Sequence, residues 1–158
     1  IIVPEYDLCL ANRAGRGFTA TEGHPNFPVA GRRPATTLHA WAVAEEWGAV
    51  RFLGATPGGE NQMPWNTQTL AQLVAGVDEP GVLVTSPRWE WLPDDDGVRV
   101  EAGFDDAAVG SLTGAAPRTT QTTQWGLKSA QQVVRIAREG EAVVGAADPR
   151  TVGAAVAV

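Results

Sequence analysis

The sequence predicts an α+β fold, with helices layered on an antiparallel sheet system. Three observations carry the prediction. Residues 38–44 and 49–55 are apolar runs around the polar link Glu45-Glu46-Trp47-Gly48, the pattern of a β-hairpin. Residues 67–75 set Leu70, Leu73 and Val74 at helical spacing and end on Gly76, a helix stop. Strand-like alternation then returns in 88–93, 98–101 and 128–138. The order is therefore strands, helix, strand, helix, strands.

The elements follow in order. Residues 1–3 and 7–12 read as short strands split by Pro4. Arg13-Ala14-Gly15-Arg16-Gly17 reads as a glycine-arginine loop. It could hold a carboxylate or phosphate, or lie solvated on the surface. Residues 19–34 carry turn residues throughout and read as a long ordered excursion or a flexible lid. The hairpin follows; both its runs are apolar, which predicts a sheet covered on both faces, with Trp41 and Trp47 as packing residues. Helix 65–75 tolerates Pro64 near its start. Residues 78–87 read as a connection with one apolar run, Val82-Leu83-Val84. In the strand at 88–93, Trp89 and Trp91 share a side, and Asp94-Asp95-Asp96-Gly97 is an acidic turn without the spaced ligands of a calcium loop. A strand at 98–101 and a short helix at 104–112 come next. Residues 118–124 are a polar strand or a loop. The strand at 128–138 turns at Glu139-Gly140-Glu141 and returns as 142–147, and Asp148-Pro149-Arg150 ends the ordered body.

Composition bounds the function. The 158 residues, 44% hydrophobic and 19% charged, suit one globular domain spanning 1–158. A net charge of −6 with no basic run excludes a nucleic-acid surface. No apolar run approaches the roughly 18 residues of a membrane span. Cys9 stands alone, so an internal disulfide is ruled out and a buried thiol is expected. His24 and His39 lack metal-ligand spacing, and neither a metal nor another cofactor is expected. The chain opens on Ile1-Ile2-Val3 without a methionine, which suggests a processed piece whose upstream neighbour is missing; its compartment is unreadable.

The richest chemistry lies in Thr56-Pro57-Gly58-Gly59-Glu60-Asn61-Gln62, between the hairpin and the helix. A strand, a sharp glycine turn and a helix start leave backbone N–H groups unpaired at the positive end of the helix dipole. Such a turn suits an anion, or an oxygen that becomes negative in a reaction. It equally suits a tight connection that needs glycine. No Gly-x-Ser-x-Gly elbow and no phosphate-loop lysine accompany it. The residues present an oxyanion-type turn and hydroxyl pairs, but no nucleophile–base set.

Taken together, the motifs resemble the γ-glutamyltranspeptidase family. They are Leu10-Ala11-Asn12-Arg13, Gly23-His24-Pro25-Asn26, Gly31-Arg32-Arg33-Pro34-Ala35-Thr36-Thr37-Leu38, the glycine turn, Ser86-Pro87-Arg88-Trp89, Trp91-Leu92-Pro93, the stretch from Val98 to Phe104, and Gly145-Ala146-Ala147-Asp148-Pro149-Arg150. The resemblance implies a four-layer αββα N-terminal-nucleophile hydrolase sandwich, shared with a large subunit from the same precursor. This chain would be the small subunit without its first few dozen residues. The family's nucleophile is a threonine exposed by self-cleavage and helped by its own amine; it would lie upstream.

Carried over by position, Gly58 and Gly59 would form the oxyanion hole. Thr36 and Thr37 would stand for a serine pair that holds the substrate carboxylate. Asn12, Arg13 and Arg16 complete the implied substrate-binding set. Typical members carry a glutamine at Arg13 and, shortly after, an aspartate for the substrate ammonium. Here Ala14-Gly15-Arg16-Gly17 offers no acid, so an ammonium would meet like charge and a non-typical, acidic small-molecule substrate is expected. The leading reading is a threonine-nucleophile hydrolase or transferase of a γ-glutamyl-like amide. The alternatives are a biosynthetic relative that cleaves a C–C bond, and an inactive binding subunit.

Overall fold

The computed structural model describes residues 2–92, 97–115, 118–136, 138 and 142–156. They fall into two compact units, Ile1–Thr37 and Leu38–Val158. In the first, β1 (Ile2–Val3) pairs antiparallel with β2 (Leu8–Cys9), Ile2 opposite Cys9. The 3₁₀ turn Pro4–Tyr6 joins them and closes on Asp7 in the left-handed region. Both β2 residues face solvent, so Cys9 is exposed rather than buried. A two-stranded ribbon has no second layer to cover it. Residues 14–17 form one helical turn, α1 (Ala14–Gly17), where a loop was expected; the Gly17 N–H reaches the Arg13 carbonyl at 2.8 Å. The turn-rich excursion is tied down by Arg32, whose Nη1 donates to the Pro25 and Phe27 carbonyls at 2.8 and 3.1 Å.

The second unit is built on the expected hairpin. β3 (Ala40–Ala44) and β4 (Val50–Ala55) pair antiparallel, with the 3₁₀ turn Glu46–Gly48 between them. Trp41 stands opposite Gly54. A Cβ at Gly54 would sit 2.1 Å from the Trp41 ring, so the glycine makes room for the indole. The helix α2 (Gln62–Val74) starts three residues before the predicted 65. Gly76, at φ +93°, stops it. The stretch read as a connection contains a second helix, α3 (Pro80–Thr85), with proline in its first turn. Its six residues are too few to show a period in sequence.

β5 (Trp89–Leu92) and β6 (Gly97–Glu101) pair antiparallel. α4 (Asp106–Ala115) then leads to β7 (Arg118–Thr122), which pairs parallel to β6. The polar stretch is thus a strand, and this sheet is mixed rather than wholly antiparallel. α4 is the crossover that such a parallel pair needs, carrying the chain back to the end of the sheet where β6 begins. β8 (Gln132–Arg135) and β9 (Val144–Ala147) extend the first sheet to the order β3-β4-β8-β9. β8 is shorter than the predicted strand because side chains take its leading donors. The N–H groups of Leu127, Ala130 and Gln131 go to Glu101, Thr56 and Asp148. The acidic turn at 94–96, the turn at 139–141 and the Trp47 side chain lie outside the described residues.

The core packs Trp41, Phe52, Leu83, Val84 and Val133 between the four-stranded sheet and α2 and α3. Burying each is worth roughly 1.5–3 kcal/mol. Among the described residues α2 and α3 cover that face, whereas Leu53 and Ala40 on the other are exposed, against the expectation of a hairpin covered on both faces. Trp89 and Trp91 do share a side, but Glu90 faces inward between them, bonded to Arg99 at 3.1 Å.

Residues 151–156 carry no helix or strand and are exposed, and Asp148 and Arg150 just before them supply a buried ionic cluster. Arg88 meets Asp148 at 2.6 Å and Arg150 meets Asp148 at 2.9 Å. Arg150 also pairs with Glu101, whose carboxylate takes the Arg88 N–H at 2.9 Å. Two guanidinium groups face two carboxylates, so the charges cancel. Burial pulls the Arg88 pKa down, more than Asp148 restores. Burial acts the same way on Arg150, but its hydrogen bonds to Glu101 and Asp148 outweigh it and the net shift is upward.

Candidate functional site

The glycine turn is held in place before it reaches any ligand. Thr56 is 3% exposed. Its hydroxyl donates to the Pro57 carbonyl at 2.8 Å and accepts the Ala130 N–H at 2.9 Å. Gly58 follows at φ +144° and Gly59 at φ +61°. A Cβ on Gly58 would lie 2.1 Å from the Trp65 ring, so the indole rests directly on this backbone. Gly59 has no atom within 4 Å of where a Cβ would be, so that side is open. The 3₁₀ turn Gly59–Asn61 runs into α2. Among the described residues, no backbone or side-chain acceptor takes the Gly58 or Gly59 N–H. Two donors thus stand free at the N-terminal end of a 13-residue helix, where its dipole favours negative charge.

Behind the turn lies a polar network that sequence reasoning missed. The buried residues of α2 are Gln62, Trp65, Asn66 and Thr69, spaced as one helical face. Asn66 Oδ1 accepts from Trp41 Nε1 at 3.1 Å and from Gln131 Nε2 at 2.9 Å. Its Nδ2 lies 2.9 Å from both His39 Nδ1 and the His39 carbonyl. The His39 N–H donates to Gln62 Oε1 at 2.9 Å. Gln131 also donates to Thr69 and, through its backbone, to Asp148. Hydrogen bonds thus run without a break from His39 to the ionic cluster. The signal in the sequence was Gln62, Asn66 and Thr69 at spacings of four and three, on a helix whose apolar residues looked sufficient. Val74, read as part of the apolar face, is 90% exposed.

A cavity of about 450 Å³ opens beside the turn, with Leu38, His39, Ala40, Pro57 and Gln62 among its walls.

The other expected site residues belong to the first unit. Arg13 is half-buried and its Nη1 donates to Thr37 Oγ1 at 3.4 Å. Asn12 is exposed, and its Oδ1 lies over Gly15, 2.7 Å from where a Cβ there would be. Arg16 and Thr36 are exposed. The structure therefore brings Arg13 to Thr37, Asn12 to the α1 turn, and Gly58 to Gly59. Among the described residues, no three His, Cys, Asp or Glu side chains gather as metal ligands, and no helix is long and apolar enough to cross a membrane.

The γ-glutamyltranspeptidase family model matches residues 6–158. The glutathione hydrolase-like YwrD proenzyme of Bacillus subtilis (strain 168) is 28% identical over 156 residues, which are 96% of this chain and 29% of that relative. γ-Glutamyltranspeptidase from Pseudomonas nitroreducens, complexed with L-DON, superposes with a TM-score of 0.72 at 20% identity, covering 100% of this chain and 86% of the other. Cephalosporin acylase from Bacillus halodurans gives a TM-score of 0.75 at 21% identity, covering 95% of this chain and 27% of the other.

Proposed function

The chain belongs to the γ-glutamyltranspeptidase family, with its N-terminal-nucleophile hydrolase fold, and on that premise we propose that it is most of the small subunit of an amide-cleaving hydrolase or acyltransferase. Residues 1–158 act as a single domain, with a large subunit from the same precursor as partner. A threonine upstream of Ile1 attacks the carbonyl carbon of a γ-glutamyl-like amide. The carbonyl oxygen takes up negative charge and is held by the Gly58 and Gly59 N–H groups. Collapse of the tetrahedral species expels the amine and leaves an acyl-enzyme, which water or a second amine then resolves. The observation that carries this reading is the pair of unpartnered amides on a backbone that Trp65 and Thr56 hold rigid.

Thr36 and Thr37 bind the substrate carboxylate, with Asn12, Arg13 and Arg16 beside them. The Arg13–Thr37 contact supports this, because it places a guanidinium at a hydroxyl intended for an anion. Arg13 in place of a glutamine, with no acid in the residues that follow, favours an acidic, non-typical substrate.

The test uses the full precursor. It is expected to cleave itself and leave threonine at the small-subunit N-terminus, read by N-terminal sequencing. A residue there without hydroxyl or thiol would sink the reading in favour of an inactive binding subunit. Fast turnover of γ-glutamyl p-nitroanilide with glycylglycine would refute the non-typical substrate. Processing with no cleavage of any amide would favour the C–C-cleaving alternative.

A further inference from the structure

Glycine gives the turn its freedom but does not choose its direction. Among the described residues no peptide bond is cis, so Pro57–Gly58 is a flat trans unit whose C=O and N–H point opposite ways. That plane turns over by opposite rotations about Pro57 ψ and Gly58 φ. Proline fixes only its own φ and glycine accepts either sign, so these two residues leave both orientations open. Thr56 closes the choice. Its hydroxyl holds the Pro57 carbonyl at 2.8 Å, and the Gly58 N–H then faces away from it. A ψ of +11° at Gly58 nearly eclipses the Gly58 and Gly59 nitrogens about the Cα–C bond. Their N–H groups therefore stand side by side, as in an anion-binding nest. Turning the plane over would break that pair.

The hydroxyl is itself fixed. The Ala130 N–H, 2.9 Å away, can only donate, so the single hydroxyl proton is left for the Pro57 carbonyl. Ala130 is clamped on both sides. Ser129 Oγ accepts from Arg88 Nη1 at 3.0 Å, and the Gln131 N–H goes to Asp148 Oδ2 at 2.8 Å. Ser129 and Gln131 are shut away from water. The buried ionic cluster thereby bears on the glycine turn through one hydroxyl. Valine at position 56 would fill the same space and make neither bond, whereas serine would keep both.

We infer that Thr56 is a positioning residue for the reaction: anchored by the Ala130 N–H, its hydroxyl locks the Pro57–Gly58 peptide with the Gly58 N–H beside that of Gly59, toward the oxygen that becomes negative. The inference rests on the oxyanion reading above and deepens it. Thr56 touches no reacting atom; it acts through the peptide plane that follows it.

Two measurements on the full-length protein test it. The first reads the peptide and needs no turnover. With ¹³C at the proline carbonyl carbon and ¹⁵N in glycine, Pro57–Gly58 gives a carbonyl-to-amide NMR correlation, identified by its loss in Pro57→Ala. Wild type is expected to show one such signal; a second, exchanging with it, would mean that the plane turns over and would overturn the lock. Thr56→Val should move the signal and Thr56→Ser should leave it near the wild-type position, while Pro80–Gly81, another such pair in the sequence, stays unmoved in both. No movement in Thr56→Val overturns the proposal. The second measurement is hydrolysis of γ-glutamyl p-nitroanilide. Thr56→Val should lower kcat by about tenfold or more with KM changed less than about twofold, because the donors act on the transition state. Thr56→Ser should restore most of kcat. A wild-type kcat in Thr56→Val, or an equal loss in Thr56→Ser, overturns the role. If Thr56→Val does not fold, Thr56→Ala is read in the same way. A signal that moves as expected in a protein that cleaves no amide upholds the lock and sinks the amide-cleaving reading instead.

Discussion

Gly58 and Gly59 are adjacent, yet they are glycines for different reasons. At Gly58 the constraint is contact: a methyl would enter the Trp65 ring, at a φ that side chains rarely adopt. Gly58→Ala is expected to destabilise the protein by about 2–4 kcal/mol, from overpacking plus backbone strain. At Gly59 there is space, and only the left-handed φ resists a side chain. Gly59→Ala should therefore cost only about 1 kcal/mol. Urea unfolding of the two variants checks the contrast, and equal losses would sink it. Gly59→Val adds branched bulk at the open side of the turn. If the turn is the oxyanion site, turnover should fall by roughly 10²–10³; wild-type turnover would remove that role. The pair was legible in sequence as a turn between strand and helix. The Trp65 contact was not, because a ring seven residues on gives no local sign of where it lies.

At the scale of elements, α2 carries two stripes. Leu70 and Leu73 meet the apolar core, whereas Gln62, Asn66 and Thr69 are buried in a polar network. Hydrophobic period identified the helix and its stop, but it scores only the first stripe. The polar stripe becomes recognisable once Trp41, His39 and Gln131 are known to face it, and they come from other elements. β5 makes the same point. Its tryptophans share a side as predicted, and the inward residue is Glu90. Burial raises the Glu90 pKa above its ordinary 4.5, and Arg99 offsets part of the shift. The folded state then holds this proton more tightly than the unfolded chain, so the contribution is full below about pH 4.5 and is lost as pH rises through the higher folded pKa. Wild type should gain stability relative to Glu90→Gln as pH falls from neutral through that window. Denaturant unfolding across pH reads the difference; a difference independent of pH would sink the assignment.

At the scale of the molecule, the ionic cluster ties the end of β9 to the start of β5 and the end of β6. Arg88 and Asp148 are 60 residues apart in sequence and both are shut away from water. Removing one partner leaves a buried charge uncompensated. Asp148→Asn is expected to lower stability by about 3–5 kcal/mol, as measured by urea midpoint at unchanged m-value; a surface-like loss under 1 kcal/mol would show that the cluster is solvated. The sequence by itself determined the α+β class, the hairpin, the two longer helices and the glycine turn, because those depend on residue periods and backbone rules that act within a few positions. It also carried the ordered motifs by which the family is recognisable. Tertiary structure alone decided the parallel placement of β7, the polar face of α2 and the Arg88–Asp148–Arg150–Glu101 cluster. Each is a pairing between distant segments, and a polar side chain has no assigned partner until folding brings one within hydrogen-bond reach.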